Sequence, residues 1–223
     1  MSKVLVILEV AAGKLRPHCL PGITAGAEIA AKSGGTLQLL VLGADPGQAA
    51  QAIAQAGYGA TGVLTLAAAG LEPFTAEAWG DAIVHAVKTT GATVIGGSAS
   101  STLRDALPRA AALLDAPLAS DIVQVKSANT FTRPVSAGRA LLDVQVNAAI
   151  TFFTARGTEF EPAQPGNAVG VSPLPAPRST PAASRSRASR RPRAAAPRSP
   201  RPRSSSPAVA ACARAPTSRS SSS

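Results

Sequence analysis

Few residues in this chain have the type and spacing needed for chemistry. Gly96-Gly97-Ser98 follows a β-branched run and precedes a helical stretch, the position where α/β proteins cradle phosphate on free backbone amides. The triplet fits neither GxGxxG nor GxxxxGK[ST], and a tight strand-to-helix turn uses the same residues, so it marks a weak candidate nucleotide site. His18 and His85 are the sole histidines, and His18 sits close after Glu9 at the end of the first apolar run. A general base needs a partner within hydrogen-bond reach; the plainer reading of Glu9 is a strand-end carboxylate capping a loop. Cys19 reads as a small buried hydrophobe, and Cys212 lies far from it, so no disulfide or metal framework is implied. Arg133, Arg139 and Arg156 lie on strand-like segments, where they can pair with Asp121 and Asp143 across strands or face a partner.

The elements that must position these residues fall into two regimes. Lys+Arg number 22 against 12 Asp+Glu, giving +10, but 11 of the basic residues are arginines after position 177, beyond the last acid, Glu161. The body is therefore close to neutral, and the tail alone carries the charge that would attract nucleic acid phosphates. With no aromatic residue after 177, the tail has nothing on which to stack bases. No apolar run approaches the roughly 18 to 20 residues that span a bilayer. The opening MSKVLVILEV reads as a first strand and not a secretory signal, so the expected address is cytoplasmic.

Through residue 115 the body alternates apolar runs with alanine-rich helical stretches, the pattern of βα units feeding a parallel sheet. Strands are predicted over 4–9, 37–42, 63–66 and 93–95. A helix starts at Pro21 and stops at Gly34, and a second follows an Asp45 cap with Pro46 in its first turn. A third runs from a Thr75 cap to Gly91, and a fourth covers 102–114 with a kink or a break at Pro108. After Pro117 four strand-like runs, 120–125, 131–136, 140–146 and 149–155, have no helix between them and are expected to pair as antiparallel hairpins on the sheet edge. The predicted fold is α/β, a Rossmann-like, mainly parallel sheet with helices on both faces and added antiparallel hairpins. The domain is expected over residues 1–163. Residues 164–223, rich in Pro, Ser, Ala and Arg, are expected to be a disordered tail.

The segment 107–161 carries the most specific pattern. It contains LPRAAAL at 107–113, PLASDI at 117–122, TFTRPVSAGRAL at 130–141 and FTARGTEF at 153–160. These closely resemble the second half of the amino-terminal domain of electron transfer flavoprotein alpha subunits, and residues 4–9 resemble that family's first strand with its terminal glutamate. The resemblance implies a heterodimer with a beta subunit and an FAD held by a second alpha-subunit domain. It also implies electron flow from acyl-CoA and other dehydrogenases to a quinone oxidoreductase, as in fatty acid β-oxidation. It makes the present domain a platform that packs against the beta subunit, with Arg133, Arg139 and Arg156 as candidate contacts.

The flavin-domain signatures of that family, of the SGGRG, GASRA-DAG, GQTGK and GISGA-QH types, are absent from these 223 residues. The segment SSSPAVAAC at 204–212, shifted back by one base, can encode VVVSGGRGL, the opening of that domain. A frameshift in the linker is the expectation, and with it a chain that does not itself bind FAD. A stand-alone adenine-nucleotide module and a nucleic-acid binder acting through the tail are the alternatives.

Overall fold

The computed structural model describes residues 2–175. The expectations for the arginine-rich tail lie outside the described residues from position 176 onward.

Alternation along the first strand sets up two cores. In β1 (Lys3–Leu8), Val4, Val6 and Leu8 point to one side and Leu5 and Ile7 to the other, and all five are buried. The strand must therefore be covered on both faces. A short hairpin, β2 (Val10–Ala11) with β3 (Lys14–Leu15), turns through Gly13 into α1 (Leu20–Ser33). Pro21 lies in the first turn of α1, and left-handed Gly34 ends it, as the sequence predicts. Next come β4 (Thr36–Gly43), α2 (Gly47–Ala56), β5 (Gly62–Ala67), α3 (Ala76–Thr90), β6 (Val94–Ser98) and α4 (Ser101–Leu113). The side chains of α1 and α2 pack with Val4, Val6 and Leu8; those of α3 and α4 pack with Leu5 and Ile7. Helices on both faces of a parallel sheet is the predicted class.

Several local expectations change. Asp45 gives α2 no side-chain cap, and the helix opens after Pro46. Pro108 does not break α4, which continues through it; the proline lies on the exposed side, where water can satisfy the carbonyl it leaves unpaired. Thr75 does cap α3, accepting from the Ala78 amide at 3.2 Å.

The largest correction concerns the second half. Only β8 (Gln124–Val125), β9 (Thr130–Val135) and β10 (Ala140–Gln145) pair antiparallel, as a separate three-stranded arm in the order β10-β9-β8. The flanking runs, β7 (Leu118–Ile122) and β11 (Thr151–Ala155), instead join the main sheet in parallel. All five residues of β11 are buried, with Phe152 in one core and Phe153 in the other. Such a strand belongs inside a sheet and not on its edge. It fits between β6 and β7 because Gly96 faces Phe153: a Cβ on Gly96 would lie 2.3 Å from the Phe153 carbonyl oxygen.

The chain also adds an unanticipated strand, β12 (Val171–Pro173), which pairs in parallel with β5 and completes the order β12-β5-β4-β1-β6-β11-β7. The approach to it crosses the end of α2: Gly166 N–H donates to Ala56 O at 2.7 Å and Val169 N–H to Ala54 O at 2.8 Å. At Gly57 the backbone is left-handed, and a Cβ would lie 1.8 Å from the Asn167 carbonyl oxygen, so this crossing requires glycine. No helix among the described residues is long and apolar enough to cross a membrane.

Covering the β5 edge should stabilise the sheet. A chain ending at 163 is expected to unfold at lower urea than one ending at 175, by about 3 kcal/mol for the lost ladder bonds and Val171 contacts. Equal midpoints would show that the strand contributes nothing.

Candidate functional site

Two places bring the sequence-derived candidates together. The first is the crevice beyond the carboxyl ends of β1 and β6, where the strand order reverses and α/β proteins bind ligands. Glu9 is its hub and is buried, 6% exposed. Ser100, the N-cap of α4, accepts from the Leu103 amide at 3.1 Å and donates its own hydroxyl to Glu9 Oε1. His18 Nε2 stands 3.4 Å from the same oxygen. The serine hydroxyl is thus directed at the carboxylate, in a network that joins α4 to the loop before α1. Cys19 accepts from the Glu9 amide at 3.3 Å, and burial pushes its thiol up to about 12, so it stays protonated and unreactive.

Gly96 and Gly97 lie inside the sheet, and Ser98 ends β6 with its Oγ accepting from the Gly22 amide at 3.0 Å. The space over this turn is occupied by α1, since a Cβ on Gly22 would lie 2.4 Å from the Ser98 nitrogen. The next amide, that of Ala99, donates to Ala155 O at 2.8 Å. The open volume nearby is about 140 Å³, bordered by Glu9, Arg16, Glu72, Phe74 and Trp79. It is small beside the several hundred Å³ of an ordinary ligand pocket.

The second place is a cleft of about 460 Å³ where β7, β9 and β11 meet. Asp121 has a left-handed backbone (φ 59°), and its amide donates to Thr154 Oγ1 at 2.7 Å. Its carboxylate receives a two-pronged contact from Arg156, Nη2 at 2.5 Å and Nε at 3.3 Å, with Arg104 Nη2 at 3.6 Å. The Arg156 hydrogen bond, aided by the charges of Arg156, Arg104 and Arg133, holds the Asp121 carboxyl below its usual range. Arg133 lines the same cleft and donates to Ser120 Oγ at 2.9 Å.

The structure therefore brings Arg133 and Arg156 together and leaves Arg139 apart, exposed at the start of β10, with no ion pair among the described residues. Asp143 binds Lys126 at 2.5 Å and Thr132 at 2.7 Å and none of the three candidate arginines. Sequence reasoning missed Arg104, whose helical position gives no sign of the strand opposite it. It also missed Ser100, whose signal was available: a serine three residues ahead of a buried leucine at a helix start.

A doubly covered parallel sheet with an antiparallel arm, glycine-filled where strands crowd and lined by arginine where the arm leaves, defines an α/β domain. Residues 4–183 match the family profile described as "Electron transfer flavoprotein domain". The chain belongs to the electron transfer flavoprotein family. It is 35% identical over 175 residues to a "Probable electron transfer flavoprotein subunit alpha, mitochondrial" of Caenorhabditis elegans, covering 78% of this chain and 51% of the relative. A protein of the same description in Schizosaccharomyces pombe is 28% identical over 169 residues, 76% of this chain and 48% of the relative. The "Electron transfer flavoprotein subunit alpha" of Pseudomonas aeruginosa is 46% identical over 63 residues, 28% of this chain and 20% of the relative. The chain spans about half the length of the relatives it matches along most of its own length.

Because the folded state lowers the Asp121 pKa, the stabilisation is complete above the unfolded value near pH 4 and is lost as pH falls through the folded value. Asp121→Asn should therefore flatten stability against pH below about pH 4 in urea titrations. An unchanged profile would remove Asp121 as a contributor. Gly96→Ala, which sets a methyl against the Phe153 backbone, should cost about 3 kcal/mol in the same assay.

Proposed function

We propose that residues 2–175 are the platform of an electron transfer flavoprotein alpha subunit that packs against a beta subunit, while FAD is held outside these residues. The observation that carries this reading is the Arg133–Arg156 cleft: Arg156 grips the Asp121 carboxylate and Arg133 donates to the adjacent Ser120 hydroxyl at the root of a projecting arm, lining an open volume of about 460 Å³. Such a cleft suits an acidic side chain of the second subunit, because guanidinium groups meet carboxylates in planar, two-point contacts. In the assembled protein, electrons taken from acyl-CoA and other dehydrogenases would pass through FAD to a quinone oxidoreductase. The one role assigned to the present residues is to hold the second subunit.

The reading that these 223 residues do not clasp FAD rests on sequence content. The family's flavin-domain signatures are missing, and SSSPAVAAC at 204–212 yields VVVSGGRGL one base out of register. A lost reading frame in the linker accounts for both, and for a tail of arginine, proline, alanine and serine.

Co-expression with a beta subunit tests the platform. The pair should co-purify, and Arg156→Ala or Arg133→Ala should weaken the complex by tenfold or more, the effect of truncating one side of a desolvated charge contact. Failure of the unaltered chain to capture the beta subunit would end the reading. Purified alone, the chain should show no flavin absorbance near about 450 nm, the band typical of the cofactor. Stoichiometric FAD in that sample would overturn the second part.

A further inference from the structure

The cleft where β7, β9 and β11 meet holds more positive charge than its own carboxylate can match. Arg133 enters it from β9 and Arg156 from the end of β11, and the turn Ser136–Gly138 lines it too. Arg104 reaches Asp121 from α4, and the charges of all three arginines act on that one carboxylate. Three guanidinium groups around a single carboxylate leave two positive charges without a counter-charge. Glu159, which also acts on Arg156, lines a different cavity, with Glu28 and Lys32. Asp143 stands opposite Thr132, on the other face of β9 from Arg133, and is held there by Lys126.

Arg133 is also incompletely bonded. Its Nη2 donates to Ser120 Oγ at 2.9 Å, while its Nε is buried without a partner. Among the described residues it is the one buried side-chain donor left in that state. A buried donor that lacks an acceptor is costly to keep, and an ion seated beside it is a physical reason for its persistence. The turn brings a further donor to the same opening, the hydroxyl of exposed Ser136.

We infer that this cleft binds a phosphomonoester dianion, held by Arg133 together with Arg156 and the Ser136 hydroxyl. A dianion matches the two unopposed charges, which a single carboxylate does not. Its three terminal oxygens can accept from two guanidinium groups and a hydroxyl at once. The cleft, at about 460 Å³, leaves room for the small organic group that carries the phosphate. The inference stands on this chain alone and goes beyond the platform reading, which seats one acidic side chain of a second subunit in the same place; the two occupants exclude each other.

Methyl phosphate is a minimal ester of this class and is a dianion above about pH 7. Titrated at constant ionic strength into the isotopically labelled full-length chain, it should shift the backbone amide resonances of Ala137 and Gly138 saturably, half-way at roughly 1 mM. Those resonances report on the cleft, so phosphate held by the arginines after position 177 does not register in them. Arg133→Gln should weaken binding roughly tenfold with the rest of the spectrum unchanged. Asp121→Asn, which removes the competing carboxylate, should tighten it severalfold. Arg109→Gln, whose ion pair with Asp81 lies between α3 and α4, should leave it as it is. Acetate should bind roughly tenfold more weakly than methyl phosphate. No saturable shift, acetate bound as tightly as the ester, or full affinity in Arg133→Gln would overturn the inference. Capture of a beta subunit is read separately, so either reading can fail without the other.

Discussion

The close approach of β6 to β11 is the constraint on which the other arrangements rest. Phe152 and Phe153 are fully buried on opposite faces, so β11 must lie inside the sheet with helices above and below it. A flat seat for it requires the facing position, Gly96, to lack a side chain. With β11 inserted there, β7 becomes the edge, and the chain between them must leave the sheet and return. That excursion is the arm.

The arm's root is where charge enters the design. At Asp121 the β7 backbone turns left-handed, its amide bonds to Thr154, and its carboxylate gathers Arg156 and Arg104 from two other elements. These contacts tie the first residue after β11, the helix α4 and the departing strand at one point. The Glu9 network does similar work at the other end of the switch point, where Ser100 and His18 share one carboxylate oxygen. Both carboxylates serve to join segments distant in sequence.

The arm is also where the fold economises least on exposed apolar surface. Leu141 and Leu142 stay 67% and 50% exposed on β10, an edge strand paired only with β9 among the described residues.

Much of the fold was determined by local sequence. Alternation in β1, the caps Pro21, Thr75, Gly34 and Gly91, and the alanine stripes of the helices depend on short-range periodicity and backbone preference, and these survive into the structure unchanged. What tertiary structure decided was partnership. Antiparallel and parallel strands have the same two-residue period, so nothing local in residues 149–155 told that β11 would enter the main sheet while β9 and β10 would not. Residues 171–173 became a strand because β5 left an edge uncovered, and their composition carried no sign of it. At the sites, residue types marked Arg133 and Arg156, but the pairing of Arg156 with Asp121, the arrival of Arg104 and the isolation of Arg139 came from contacts between distant segments, which spacing along a chain does not encode.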